Sequence, residues 1–306
     1  MKHVLTFDNF SGDELSSIIR LAHKIKQNPS QYAKRLEDRW LLLMFQKTST
    51  RTRISFEVGM KKLGGNAVVM DWDSSNFAIS PIRYEAQYVA RHMDMVMARL
   101  KSHDDTMALA EFASIPIING CDDKFHPCQA LADLLTVYET AGGFEDQTIT
   151  FTGIHNNVAN SLAEACSKVG LRLILVTPES SPAAAEASNM EAWKASGWVE
   201  QMESLREAAE QSQFVYTDTW IDMEFFNDAS YQAEKERRIK KMLPYQLSAE
   251  NLGASQAYIM HDMPIHPGYE ISADLVESPR SVIYQQAENR MYAQQALMLT
   301  LMGAAD

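Results

Sequence analysis

Two apolar patterns alternate along the chain. One is a short continuous run, which reads as a strand buried on both faces. The other recurs every three or four residues, which reads as an amphipathic helix. Ser11-Gly12-Asp13-Glu14 is a capping box. It opens a helix whose apolar positions are Leu15, Ile18, Ile19, Leu21, Ala22 and Ile25, ending near Pro29. A strand at 41–45, a helix at 51–63 closed by Gly64-Gly65, and a strand at 67–70 follow. Then come a helix at 83–91, a strand at 93–100, a helix at 104–112 and a strand at 115–118. The pattern predicts a helix from Pro127 to about Thr140, with proline at its first position.

Ala141-Gly142-Gly143 breaks the pattern, which then starts again. The second half reads as strand 148–152, helix 157–169, strand 172–176, a loop at 177–182 and a helix near 183–196. Helix 205–211, strand 214–216 and a charged helix at 230–242 come next. Strands at 257–260 and 281–284 precede a final helix from about 287 to 302. The alternation predicts an α/β protein of two domains. Each would be a parallel sheet flanked by helices, with a cleft between them. The expected division is 1–140, completed by the C-terminal helix 287–306, and 141–286.

Composition narrows the function classes. A net charge of −12 argues against a nucleic-acid groove, though it leaves room for a local basic pocket. No apolar run approaches the length of a membrane span, and Asp8, Asp13 and Glu14 interrupt any leader-like core. Cys121, Cys128 and Cys166 are an odd count without metal-ligand spacing, so a reduced, cytoplasmic setting without metal is expected.

The candidate chemistry begins at Ser49-Thr50-Arg51-Thr52-Arg53, where the 41–45 strand hands over to a helix. Free backbone N–H groups, hydroxyls and guanidiniums meet there, which suits a phosphate. Arginine is normally disfavoured in a first turn, so Arg51 and Arg53 suggest an anion between them. His126-Pro127-Cys128-Gln129 starts another helix, with His126 and Gln129 on one face. An imidazole and a carboxamide there can engage a carbonyl and an amide together. Cys128 is expected to be packed rather than reactive. Further polar segments fall at strand ends, where ligands bind in open α/β sheets. They are Arg99, Asn156-Asn157, Asp218-Thr219-Trp220-Ile221-Asp222-Met223 and His261-Asp262-Met263-Pro264.

Ser-Thr-Arg-Thr-Arg followed by Ser-Phe-Glu resembles the carbamoyl-phosphate motif of the aspartate and ornithine carbamoyltransferases. His-Pro-x-Gln with the following Leu-Ala-Asp is similar to the same family. The resemblance runs in order and spacing from Ser49 to Arg290, and it leans to the ornithine branch. It implies that Ser49, Thr50, Arg51, Thr52, Arg99, His126, Gln129 and Arg290 bind carbamoyl phosphate. It implies further that Asn157, Asp218, Asp222, Met223, Asp262 and Met263 receive the amine acceptor. Arg51, Arg99, His126 and Asp262 would be catalytic, without metal or organic cofactor. A homotrimer is implied as well, with a neighbouring subunit completing the phosphate site. The segment 71–83 is the place to look for that contribution, although its residues do not match the family's.

Four positions depart from the family pattern: Ile154 stands where an acidic residue is common in the turn after the 148–152 strand, and the other three lie in the acceptor segments. Asp222 stands where the family has serine, Glu224 where it has glycine, and Asp262 where it has cysteine. A carboxylate at 262 could accept the proton of the attacking amine or pair with an ammonium. Asp218, Asp222 and Asp262 would repel an anionic acceptor such as aspartate. Ornithine, lysine or a diamine such as putrescine would suit them. A catalytically silent anion-binding homologue is the alternative from another class.

Overall fold

The structure is a computed structural model that describes residues 2–221 and 226–305. The first half holds α1 (Gly12–Gln27), β1 (Trp40–Phe45), α2 (Thr50–Lys62), β2 (Asn66–Asp71), α3 (Ile82–Val89), β3 (Met95–Arg99), α4 (His103–Phe112), β4 (Ile117–Cys121) and α5 (Pro127–Ala141). The second half begins with β5 (Thr148–His155), α6 (Asn157–Val169), β6 (Arg172–Ser180), α7 (Pro182–Ala187), α8 (Met190–Ala195), β7 (Val199–Gln201) and α9 (Leu205–Glu210). It ends with β8 (Phe214–Thr217), α10 (Gln232–Met242), α11 (Ala249–Leu252), β9 (Tyr258–His261), α12 (Ala273–Val276) and α13 (Ile283–Leu301).

Two sheets result, a four-stranded one in the order β2-β1-β3-β4 and a five-stranded one in the order β7-β6-β5-β8-β9. Every named pairing is parallel. In each sheet the chain winds outward one way and then reverses. The reversal opens a crevice between β1 and β3 in the first sheet and between β5 and β8 in the second. The continuous apolar runs are explained by burial on both faces: all five residues of β3 and all eight of β5 are buried. The C-terminal helix α13 crosses back and packs on α1, α2 and α5. This explains its weakly one-sided sequence, since Ala293, Ala296, Leu297 and Leu299 are buried together with Gln286, Asn289, Gln294 and Gln295.

Three sequence expectations need correction, and one strand has no counterpart in the sequence pattern. The strand expected at 281–284 is a single bridge, Ile259 to Ser281, and the last helix begins at Ile283. The β-branched Val282 and Ile283 suggested a strand, but tertiary packing overrides that preference. The loop expected at 177–182 is mostly strand, because β6 continues to Ser180 beside the extended end of β5. The helix near 183–196 is two short helices, broken where Ser188 turns extended at φ −67°, ψ 126°. The short edge strand β7, paired through Leu173 to Val199, has too little pattern to read from sequence.

The N-terminal arm lies on α6. Glu164 Oε2 accepts the Phe7 N–H at 2.9 Å, and Oε1 is buried without a hydrogen-bond partner among the described residues. Burial pushes this carboxyl up from 4.5 to about 8. The folded chain therefore keeps the proton to higher pH than the unfolded chain. Its stability is full below the unfolded value and falls as pH rises toward the folded one. Glu164→Gln keeps an acceptor for Phe7 and removes the ionisation. The melting temperature of the variant relative to wild type should rise between pH 6 and pH 9, and a constant difference would contradict this.

Candidate active site

The C-terminal ends of both sheets face one cavity of about 370 Å³, within the range of small-molecule sites. Nearly every wall element follows a parallel strand. Lys47, Thr48, Ser49 and Arg51 follow β1, Arg99 closes β3, and Cys121, Asp122 and Asp123 end β4. From the second sheet come Asn156 and Asn157 after β5, Ser181 to Ala183 after β6, Asp218 and Thr219 after β8, and Asp262 to Pro264 after β9. His126 enters from the start of α5 and Arg290 from α13.

One end of this cavity is cationic. Ser49 is the N-cap of α2, and its hydroxyl accepts the Thr52 N–H at 3.2 Å. Arg51 lies one residue into the helix. Burial lowers its pKa, Asp262 and Asp218 oppose that, and Arg99 adds to it. Arg99 and Arg290 are 7% and 3% exposed, so the three guanidiniums repel one another with little water to screen them. Burial, with Arg99 next, brings Arg290 down to about 10. Thr52 is fully buried, and its hydroxyl accepts from Arg290 Nη2 at 2.8 Å, tying α2 to α13. His126 is the N-cap of α5, and its backbone N–H donates to Ser161 Oγ at 2.7 Å. Burial and then Arg290, Arg99 and Arg51 hold its imidazole well below the usual range, so it stays neutral.

Several polar atoms here are buried without a hydrogen-bond partner among the described residues. They are Nε of Arg51, Arg99 and Arg290, Nδ1 of His126 and Oε1 of Gln129. Buried groups of this kind are normally satisfied. This set offers several donors and one acceptor, which matches a multiply negative ligand that carries an NH2 group.

The other end is acidic. Asp218 Oδ2 accepts from Asn156 Nδ2 at 2.5 Å, and Oδ1 accepts the Thr219 N–H at 2.6 Å. Asp262 lies within hydrogen-bonding reach of Asp218, and its Oδ1 is buried without a partner among the described residues. Burial, followed by Asp218 and Asp133, pushes the Asp262 carboxyl well above the carboxylate range. Asn156 caps α6 through the Val158 and Ala159 N–H groups. Asn157 Nδ2 donates to the Asp122 carbonyl at 2.7 Å and contacts Cys121 Sγ at 3.2 Å, which links the two halves. At Gly153 the backbone turns with φ +129°, and a Cβ would lie 3.4 Å from Thr217 Oγ1 and from Trp220 Nε1.

The cavity brings together Ser49, Arg51, Arg99, His126, Arg290, Asn157, Asp218, Asp262 and Met263. Thr50 is exposed, and neither it nor Thr52 lines the wall. Gln129 is fully buried one turn behind His126, with Nε2 donating to Asp133 Oδ1 at 2.9 Å. Asp222, Met223 and Glu224 lie outside the described residues. The pairing of Arg51 with Arg53 around an anion is not found. Arg53 is two positions further round the helix, is exposed and pairs with Glu57 at 3.3 Å. The guanidiniums that join Arg51 come from β3 and α13. Cys128 is buried, donates to the Asn119 carbonyl at 3.3 Å and is pushed up to about 12 by burial, so it is inert. Lys47, Thr48, Asp122, Asp123 and Ser181 also line the cavity. Only their place after a strand could have signalled them. No group of three or more His, Cys, Asp or Glu suited to a metal ion occurs among the described residues. No helix there is long and apolar enough to cross a membrane.

Comparisons with known proteins agree with this geometry. Residues 2–139 match the aspartate/ornithine carbamoyltransferase carbamoyl-P binding domain, and residues 145–301 match the Asp/Orn binding domain of the same family. Ornithine carbamoyltransferase of Archaeoglobus fulgidus is 36% identical over 308 residues, covering 99% of this chain and 98% of its own. That of Thermococcus kodakarensis is 37% identical over 310 residues, covering 99% and 96%. Among solved structures, ornithine carbamoyltransferase from Pyrococcus furiosus superposes with a TM-score of 0.88 at 34% identity, covering 99% of this chain and 97% of that one. The enzyme from Thermus thermophilus gives 0.84 at 32%, covering 98% and 99%. With both family domains matched in order and relatives aligned end to end, the chain belongs to the aspartate/ornithine carbamoyltransferase family of enzymes.

Proposed function

We propose that the protein transfers the carbamoyl group of carbamoyl phosphate to the side-chain amine of ornithine or a closely related cationic amine. The observation that carries this reading is the set of unpartnered buried atoms on Arg51, Arg99, Arg290 and His126, which line one small cavity opposite Asp218 and Asp262, with the unpartnered Oε1 of Gln129 one turn behind His126. The phosphate lies at the start of α2, near Ser49, Arg51 and Arg290, where the helix dipole adds to the guanidiniums. Thr50 contributes its backbone N–H, while Thr52 gives its N–H to Ser49 and holds Arg290 through its hydroxyl. Arg99 and His126 address the carbonyl oxygen, and Gln129 addresses the NH2. The acceptor enters beside Asn157, Asp218 and Met263; Asp222 and Met223, outside the described residues, join this set on the family resemblance alone.

In the reaction, the acceptor ammonium gives one proton to Asp262. The freed nitrogen lone pair forms a bond to the carbamoyl carbon. The oxyanion that develops is held by Arg51, Arg99 and the neutral His126, whose positions are set before the substrate arrives. The C–O bond to phosphate breaks, and phosphate leaves with the second proton of the nitrogen. The product is a ureido compound. Asp218 and Asp262 set the preference for a cation, since an anionic acceptor would face both carboxyls at close range.

We assign 1–140 with 287–306 to a donor half and 141–286 to an acceptor half; the two separate sheets and the packing of α13 on α1, α2 and α5 support this division. A cytoplasmic homotrimer belongs to the same reading. Ile79 within the 71–83 segment, Ile54 and Val58 on α2, and Tyr84 and Tyr88 on α3 are exposed large apolar side chains, which supports a contact with a neighbouring subunit on this side.

Purified protein given carbamoyl phosphate with ornithine, lysine, putrescine and aspartate in turn should release phosphate with at least one cationic amine. Aspartate should support none. Phosphate release with no member of the panel, or with aspartate alone, would defeat the proposal.

A further inference from the structure

We propose that Asp133 is the positioning residue that makes the site select a carbamoyl donor over an acyl phosphate, by fixing which end of the Gln129 amide faces the donor. The inference rests on the proposed carbamoyl-phosphate reading of the cavity.

Gln129 and Asp133 are one turn apart on α5 and both fully buried. Asp133 Oδ1 accepts two amide N–H groups, from Gln129 Nε2 at 2.9 Å and from Gln286 Nε2 on α13 at 2.7 Å. With Nε2 held this way, Gln129 Oε1 is the end left over, and it is buried without a partner among the described residues. Turning the amide over would set its oxygen against Asp133 Oδ1 and strand an NH2 in its place. Both changes are unfavourable in a buried site. Gln286 cannot replace Asp133, because its own Oε1 accepts the His261 N–H at 2.9 Å. One carboxyl oxygen thus directs two amides, one toward the donor end and the other toward the β9 strand that leads to Asp262.

The arrangement does not depend on the charge of Asp133. Burial pushes this carboxyl up to about 7, and its Oδ2 is buried without a hydrogen-bond partner among the described residues. A proton on the other oxygen would leave Oδ1 free to accept as before. The direction of the amide therefore matters more than the charge. An acceptor oxygen at this point is satisfied by the NH2 of carbamoyl phosphate. Acetyl phosphate presents the same phosphate and carbonyl with a methyl group instead, and leaves Oε1 unpaired.

The test is the ratio of the dissociation constants for acetyl and carbamoyl phosphate in wild type, Asp133→Asn and Asp133→Leu. Asparagine keeps an oxygen for both amides and puts its NH2 in the place of Oδ2. Wild type and Asp133→Asn should favour carbamoyl phosphate by about tenfold or more. In Asp133→Leu the ratio should fall to within about twofold of unity, with binding of inorganic phosphate unchanged. A folded leucine variant that keeps the wild-type ratio would overturn the proposal, as would an asparagine variant that loses the ratio equally. Should the leucine variant not fold, neutron diffraction from wild type decides. Deuterium on Gln129 directed at Asp133 supports the proposal, and the reversed amide overturns it. Wild type that binds neither ester and transfers no carbamoyl group would instead remove the reading beneath it.

Discussion

Replacing Arg51 by methionine is expected to lower kcat/KM for carbamoyl phosphate by about two to three orders of magnitude, the scale set by removing one preorganised oxyanion donor. The loss should come without a loss of stability. Arg51 shares a buried space with Arg99 and Arg290, and burial already depresses its pKa, so the empty site gains by shedding one cation. Arg53→Met is the matched control. Arg53 is exposed and forms a surface pair with Glu57, which is worth little. Steady-state kinetics and thermal melting on the two variants should therefore separate cleanly. Equal losses of activity at positions 51 and 53 would place the anion outside the cavity.

Asp262→Asn is expected to lower kcat by about two to four orders of magnitude, the range of general acid–base catalysis. Asp218, Asp133, Arg51 and His261 surround this carboxyl, with His261 Nδ1 3.7 Å away and already accepting the Met263 N–H. Burial and the neighbouring carboxyls raise its pKa, so only its ionised form, gained as pH rises, can take the ammonium proton. Wild-type kcat should climb with pH through that raised value, and the asparagine variant should lose this limb. Stability has the opposite sign. The folded state holds the proton more tightly than the unfolded chain, so at neutral pH and above the carboxyl costs stability and its removal should raise the melting temperature. A variant that is inactive because it is unfolded would show the reverse.

Much of this site was legible in the sequence because parallel α/β proteins place ligands at strand ends. Ser49, Arg99, Asn157, Asp218 and Asp262 all follow an apolar run, and all five line the cavity. Arg53 misled because adjacency in sequence is not adjacency in space: helical rotation turns it to solvent, and partners from β3 and α13 take its place. Such long-range company leaves no local pattern. The same applies to Asp133, whose spacing from Gln129 fits any helix and whose meaning appears only with Gln286 arriving from the far end of the chain. The strand expected at 281–284 shows the converse error, where local preference yields to packing under β9.

The most direct test of the account is a crystal structure of the protein soaked with carbamoyl phosphate. The account predicts phosphate oxygens at the start of α2 beside Arg51, the carbonyl oxygen between Arg99 and His126, and the NH2 directed at Gln129 Oε1. Density for the ester elsewhere, with the space between Arg51 and His126 vacant, would contradict it.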